Sequence, residues 1–290
     1  MASNNIYFVP ESSKWPLVGS LAIFTLFVGS AMLLNQSPNA KYVFIVGIVA
    51  VIYMFAGWFS NVIAESLSGK YNKQVDTSFR MGMGWFILSE VMFFAAFFGA
   101  LFYARVLSVP WLSGEGHGVV THQFLWPAFK ASWPMSVMPN PTNFTVYKDT
   151  IPAFGLPAVN TLILLMSGVT VTLAHWALKK AQRNYLNIWL AVTVALGALF
   201  VYLQATEYHH AYSELSLKLS SGIYGSTFFL LTGFHGFHVT MGAVMLAVIL
   251  LRSIKGHFTK NDHFAFEAVA WYWHFVDVVW LGLFIFVYWL

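Results

Sequence analysis

The sequence predicts an all-α, polytopic membrane protein with seven transmembrane helices. Three observations lead there. Hydrophobic residues make up 58% of the 290 and charged residues only 9%, whereas a soluble domain carries about 25% charged residues. Seven apolar runs each reach the roughly 20 residues needed to cross a hydrocarbon layer about 30 Å thick. Those runs also lack the alternating polarity and shorter length, about 9–11 residues, of membrane strands. Within lipid every backbone N–H must find its partner inside the protein, and a helix achieves this alone.

The runs follow in order at about 16–34, 41–63, 81–107, 156–178, 186–206, 223–251 and 264–289. The first follows MASNNIYFVPESSKWP, which lacks the charged-then-apolar layout of a cleaved signal, so a retained helix is expected. The stretch from about 108 to 155 is the large polar segment. Pro110, Pro127, Pro134, Pro139, Pro141, Pro152 and Pro157 lie in or beside it. Proline fixes φ and removes a donor, so an irregular, extended loop is expected, lying on the outer face against a partner or another loop. Lys and Arg orient the spans. The side of the N-terminus carries Lys14, Lys70, Lys73, Arg80, Lys179, Lys180, Arg183, Arg252, Lys255 and Lys260, while the opposite side carries Lys41, Arg105, Lys130, Lys148 and Lys218. The cationic side faces the cytoplasm or matrix, which puts the N-terminus inside and the C-terminus outside.

Composition also excludes functions. With no cysteine, disulfides, iron–sulfur clusters, thiolate metal sites and cysteine nucleophiles are ruled out. The net charge of +4 comes from cations set singly between apolar runs, not from a nucleic-acid patch. There is no phosphate-binding lysine loop, no dinucleotide glycine motif and no serine elbow. No catalytic, cofactor-binding or metal-binding residue is assigned. Aromatics reach 18%, and Trp and Tyr favour bilayer interfaces.

Polar groups inside apolar runs each ask for an explanation, because a charge there costs about 2.5–3.5 kcal/mol on insertion scales. Glu90 stands nine residues into the third run, in FILSEVMFF. It reads either as a proton-handling or lipid-facing carboxyl or as an inert acid hydrogen-bonded within the bundle. His235 and His238 in the sixth run, and His274 and Asp277 in the seventh, are each spaced i, i+3 and so share a helix face. His238 and Asp277 fall at the same depth, about 20 Å from the inner end at a rise of about 1.5 Å per residue. They are expected to meet and pin the sixth helix to the seventh. Haem or metal ligation by these histidines is the weaker reading, since the spacing is not specific. His117, His122, His209 and His210 read as loop histidines. Arg80, Arg252, Lys255 and His257 sit at the inner rim, where a phosphate can be held, and Trp58 and Glu65 end the second run on that side. Gly222, Gly225, Gly233, Gly236 and Gly242 would let helices approach along the sixth run.

Several strings resemble subunit III of the haem–copper cytochrome c oxidases. They are SKWPLVGS, RMGMGWFILSEVMFFAAFF, IPAFGLPAVNTLILLMSGVTVTLAHWAL, LQATEY, GIYGSTFFLLTGFHGFHVTMGA and HFTKNDHFAFEAVAWYWHFVDVVWLGLFIFVYWL. The resemblance covers nearly the whole chain, and the last two strings are the most specific. It implies helices 1–2 splayed from a bundle of helices 3–7, hence a two-helix unit over 1–80 and a five-helix bundle over 81–290, with phospholipid in the cleft. By position it implies that Trp58, Glu65, Arg80, Arg252 and His257 contact lipid and that Glu90 is the family's membrane carboxyl. Relatives often carry a His-Thr-Pro segment between helices 2 and 3. Here that stretch reads SGKYNKQVDT, which leaves one lipid contact without its residues.

The resemblance further implies no redox centre in this chain. Haem and copper belong to subunits I and II, subunit I is the direct partner, and cytochrome c is the electron donor to the complex. The implied role is to support subunit I, its proton uptake and bound structural phospholipid while a proton-pumping oxidase reduces oxygen in aerobic respiration. The long outer loop points to a bacterial enzyme of the inner membrane. A quinol-oxidase subunit III is the nearest alternative, but such proteins typically lack the first two helices. A proton-coupled transporter using Glu90 and Asp277 would need broken helices at mid-membrane, and the apolar runs are unbroken.

Overall fold

A computed structural model describes residues 8–290 of the chain. The structure is 76% helical with no strand among the described residues, and seven helices are long and apolar enough to span a membrane. They are α1 (Trp15–Leu34), α2 (Ala40–Leu67), α3 (Lys73–Phe102), α4 (Leu156–Lys179), α5 (Arg183–Ser213), α6 (Gly222–Ile254) and α7 (Phe264–Leu283). Several outrun their apolar runs. α3 starts at Lys73 and α5 extends to Ser213, because polar turns continue a helix beyond the hydrocarbon layer. Pro110 cannot donate to the turn before it, and the chain after α3 widens into a π-helical turn at Tyr103–Ser108 before the short helix Val109–Leu112.

The chain divides into two compact units, Met1–Met81 and Gly82–Leu290. In the first, Asn35 to Asn39 turn the chain, with Gln36 and Asn39 in the left-handed region, and α2 runs back along α1. Glycines set the distance between them. A Cβ added at Gly29 would lie 2.5 Å from the Phe44 backbone nitrogen, and one at Gly47 would meet the Leu26 backbone. Gly57 likewise makes room for the Trp15 indole, which also contacts Tyr53 at 5.8 Å between ring centroids. Partner numbers on α2 fall as those on α1 rise, which is antiparallel register. Few side chains are buried here: Trp15, Ala22, Ala40, Met54 and Val75 are the apolar ones.

In the second unit α4 packs on α5 and α7, and α6 packs on α5 and α7, so four helices surround one core. Trp273 on α7 fills its centre, fully buried. Its indole N–H donates to Ser167 Oγ on α4 at 2.9 Å. Gly197 on α5 and Gly242 on α6 leave it space, since a Cβ at either would come within 2.8 Å of the ring. Seven residues on, Trp280 donates to Thr161 Oγ1 at 2.8 Å and meets Phe200 edge to face at 4.8 Å. α3 joins through long side chains: Phe93 on Phe234, Phe94 on Phe275 and Phe98 on Phe286.

The Pro-rich segment from about 108 to 155 is more ordered than its prolines lead one to expect. It forms a helix at Val119–Leu125 and short 3₁₀ turns at Gly116–Gly118 and Pro141–Asn143. Met135, Met138 and Tyr147 are buried and join the bundle core. Burial pushes the Tyr147 hydroxyl up to about 12. The segment lies along the connection from α5 to α6, where Thr145 N–H donates to Ser220 O at 3.0 Å and Lys148 N–H to Leu215 O at 2.8 Å.

Candidate functional site

Glu90 projects from α3 into a cage of rings. Its Oε2 lies 2.8 Å from His238 Nε2 on α6, and Phe93 and Phe94 flank that imidazole. His238 Nδ1 lies 2.6 Å from the Phe234 carbonyl oxygen. A carbonyl only accepts, so Nδ1 carries a proton. The gap between Nε2 and Oε2 therefore holds one further proton, on the acid or on the imidazole. In either form the pair is net neutral. This is how a carboxyl is accommodated among apolar side chains, where an isolated charge would be costly. It also keeps one proton able to sit on either of two atoms.

The expected contact between His238 and Asp277 is not made. Both ring nitrogens of His238 are used by Phe234 and Glu90. Asp277 turns instead to α4, where its carboxylate fills the space a Cβ at Gly168 would take. The spacing 274/277 does define one face of α7, but α7 has both α4 and α6 as neighbours and this face meets α4. There His274 Nε2 lies 3.2 Å from Thr172 Oγ1, and His274 Nδ1 lies 3.6 Å from Asp277 Oδ2. His235, fully buried, donates from Nε2 to the Val276 carbonyl oxygen at 3.2 Å and so links α6 to α7. Each of the four residues thus makes a polar contact, three of them between helices and none between His238 and Asp277.

The rim residues fall into both units. In the first, Trp58 is half-exposed and stacks on Phe59. Glu65 accepts from the Tyr71 hydroxyl at 2.8 Å; burial and this carboxylate hold that phenol above its usual range. Arg80 Nε donates to Asp76 Oδ2 at 2.8 Å. In the second, the Arg252 guanidinium lies 4.7 Å from the Phe258 ring centroid, with its Nε buried and without a hydrogen-bond partner. His257 follows in the turn after α6, its N–H donating to the Arg252 carbonyl oxygen at 3.1 Å. Partial burial, with the positive charges of Arg252 and Lys255, holds its imidazole below the usual range.

Two groupings escaped the sequence reading. Tyr288 donates to Glu207 Oε1 at 2.6 Å in the bundle core; Tyr288 lies in the last apolar run and Glu207 just past the end of the fifth, 81 residues apart in sequence. His175, His263 and Glu267 also converge, with ligand atoms within 4.8 Å of one another. They are the described residues grouped closely enough to hold a metal ion. The i, i+4 spacing of His263 and Glu267 was the available signal, but nothing in sequence brings His175 to them.

Over residues 5–290 the chain matches the protein family described as Cytochrome c oxidase subunit III. It is 39% identical over 284 residues to cytochrome c oxidase subunit 3 of Dugong dugon, covering 98% of this chain and 96% of that one. With the protein of that name from Sus scrofa it shares 39% over 285 residues, and with that of Rattus norvegicus 40% over 285, at the same coverages.

Proposed function

The chain belongs to the cytochrome c oxidase subunit III family, a component of an oxidoreductase complex, and on that premise we propose that it is the non-redox subunit III of a proton-pumping cytochrome c oxidase. In this reading it packs directly on subunit I, in a complex that also holds subunit II and takes electrons from cytochrome c. Haem and copper reside in those partners. The chain sits in a bacterial inner membrane with its N-terminus inside, and it maintains proton uptake by subunit I and organises phospholipid.

The observation that carries this reading is the first unit. α1 and α2 form a paired helical hairpin held at backbone distance by Gly29 and Gly47. Quinol-oxidase relatives typically lack these helices, so their presence favours cytochrome c as donor. Many side chains of that hairpin are apolar and exposed, including Phe24, Phe27, Ile45, Val49 and Ile52, which suits contact with acyl chains. Trp58, Glu65, Arg80, Arg252 and His257 supply aromatic and charged groups for lipid headgroups. Glu65 and Arg80 would bring hydrogen bonds to Tyr71 and Asp76 into such a site. Glu90 and His238 hold a proton between two atoms without net charge, which suits a group placed to buffer protons in the bilayer.

Purification from the native membrane tests the assembly: a haem- and copper-bearing partner should accompany this chain, and its absence would refute the reading. Glu90→Gln tests the proton role. Initial oxygen consumption should persist while the number of turnovers before inactivation falls. Unchanged rate and lifetime would leave Glu90 a structural link between α3 and α6.

A further inference from the structure

We propose that Asn160, Gln204 and Glu207 enclose ordered water in the second unit, and that this water makes Glu207 a proton-binding site in exchange with the aqueous phase on the side of the Pro-rich segment. Asn160 lies on α4 and the other two on α5, and they are 0%, 6% and 3% exposed. Glu207 Oε1 accepts from the Tyr288 hydroxyl, in the π-helical turn Phe284–Trp289 that follows α7. Glu207 Oε2 has no hydrogen-bond partner, and neither have the oxygen and nitrogen of the Asn160 and Gln204 amides.

Register brings these groups to one level. Thr170 Oγ1 on α4 lies 2.8 Å from Thr193 Oγ1 on α5. The two helices are antiparallel. Toward the Pro-rich segment, Asn160 stands ten residues from Thr170 and Gln204 eleven from Thr193, which is the same depth to within one rise of about 1.5 Å. Gln204 and Glu207 are spaced i, i+3 and share a face of α5. Gln204 is also close enough to the Tyr208 and Tyr288 hydroxyls to influence both, yet it completes no hydrogen bond.

Burying unpaired polar groups is costly, and the mixture here points to what pairs them. The two amides bring N–H donors as well as oxygen acceptors. A metal cation would take the oxygens and leave the donors unpaired. Water donates and accepts, and a buried water makes about three such bonds. It serves Glu207 in both forms: an ionised Oε2 accepts from it, and a protonated Oε2 donates to it.

A cavity of about 270 Å³ lies against Glu207, walled by Ile151, Pro152, Leu156, Pro157, Thr206 and His210. Pro152, Thr206 and His210 are exposed, so the cavity opens at the surface and gives the proton a way out. The titratable groups around Glu207 are Tyr288 after α7 and Tyr208 and His210 on α5, with Glu214 3.2 Å from His210 Nδ1. α6 contributes Thr232, which meets the Tyr208 hydroxyl at 2.7 Å. The residues of α4 and of the Pro-rich segment in the cavity wall are apolar.

Two measurements on the complex purified from its native membrane test this. A cryo-electron microscopy map that resolves ordered water should show density between Asn160, Gln204 and Glu207. A dry site would overturn the proposal, and so would density that appears only with added Na⁺. Infrared difference spectra between acid and alkaline buffers should contain a carboxyl C=O band that shifts in D₂O and is lost in Glu207→Gln, where Tyr288 can still donate to the amide oxygen. Identical spectra from wild type and Glu207→Gln would overturn proton binding. Should Glu207→Gln fail to assemble, Glu207→Asp takes its place: the band should move, and an unmoved band overturns the assignment. Gln204→Leu, which removes a water-holding amide, and Thr206→Trp, which fills the cavity, should each keep the band and slow its shift in D₂O. Unchanged rates in both would overturn the exchange route.

Discussion

The two units solve helix packing in opposite ways. In the first, α1 and α2 meet backbone to backbone at glycines, bury few side chains and leave their apolar residues facing outward. In the second, four helices surround buried tryptophans whose N–H groups reach hydroxyls on α4. The contrast follows from solvent. Lipid tails are as apolar as leucine, so apolar burial alone gives helices little reason to associate. Close backbone approach gains dispersion contacts, and buried donors and acceptors gain hydrogen bonds that lipid cannot offer. The first unit uses the former and the second adds the latter.

The largest expected effect lies in the second unit. Phe200 is fully buried, and Phe200→Ala should destabilise the bundle by about 3–5 kcal/mol, read as a fall in the thermal midpoint of the purified complex. Next comes Gly29→Leu in the first unit. The Phe44 backbone stands where the added side chain must go, and overpacking costs about 1–3 kcal/mol. The chain has no cysteine, so Gly19→Cys with Met54→Cys can report the pairing by disulfide yield, which Gly29→Leu should lower. If the yield is unchanged, the glycine account of this unit fails.

His238→Leu ranks close behind, because it leaves Glu90 without its partner, at about 1–3 kcal/mol. Adding Glu90→Leu should restore most of the stability; if it does not, the pair is not the reason for the loss. Phe24→Ala comes last. Phe24 is 68% exposed, and a substitution at such a position changes stability by about 0.5 kcal/mol or less. A loss comparable to that of Phe200→Ala would mean that Phe24 is covered by a partner chain and not by lipid.

The seven helices were legible because long apolar runs have few alternatives in a bilayer. Their polar ends were less so: Lys73 to Arg80 carry no hydropathy signal, yet α3 begins there. Glu90 was recognisable as a buried carboxyl needing a partner, but His238 was assigned to Asp277. Depth along a helix axis and a shared face leave open which neighbour the face meets. Gly168 decided that question for Asp277 by leaving space on α4. The short helix at Val119–Leu125 was hidden by the prolines around it.

The sequence alone determined that this chain lives in lipid, how many times it crosses, and which family it resembles, because those follow from composition, run length and local strings. Only the tertiary structure decided which polar groups face one another. Glu90 with His238, Glu207 with Tyr288, and His175 with His263 and Glu267 join positions 148, 81 and 88 residues apart. Such contacts depend on helix rotation and neighbour order, which packing sets and local periodicity does not encode.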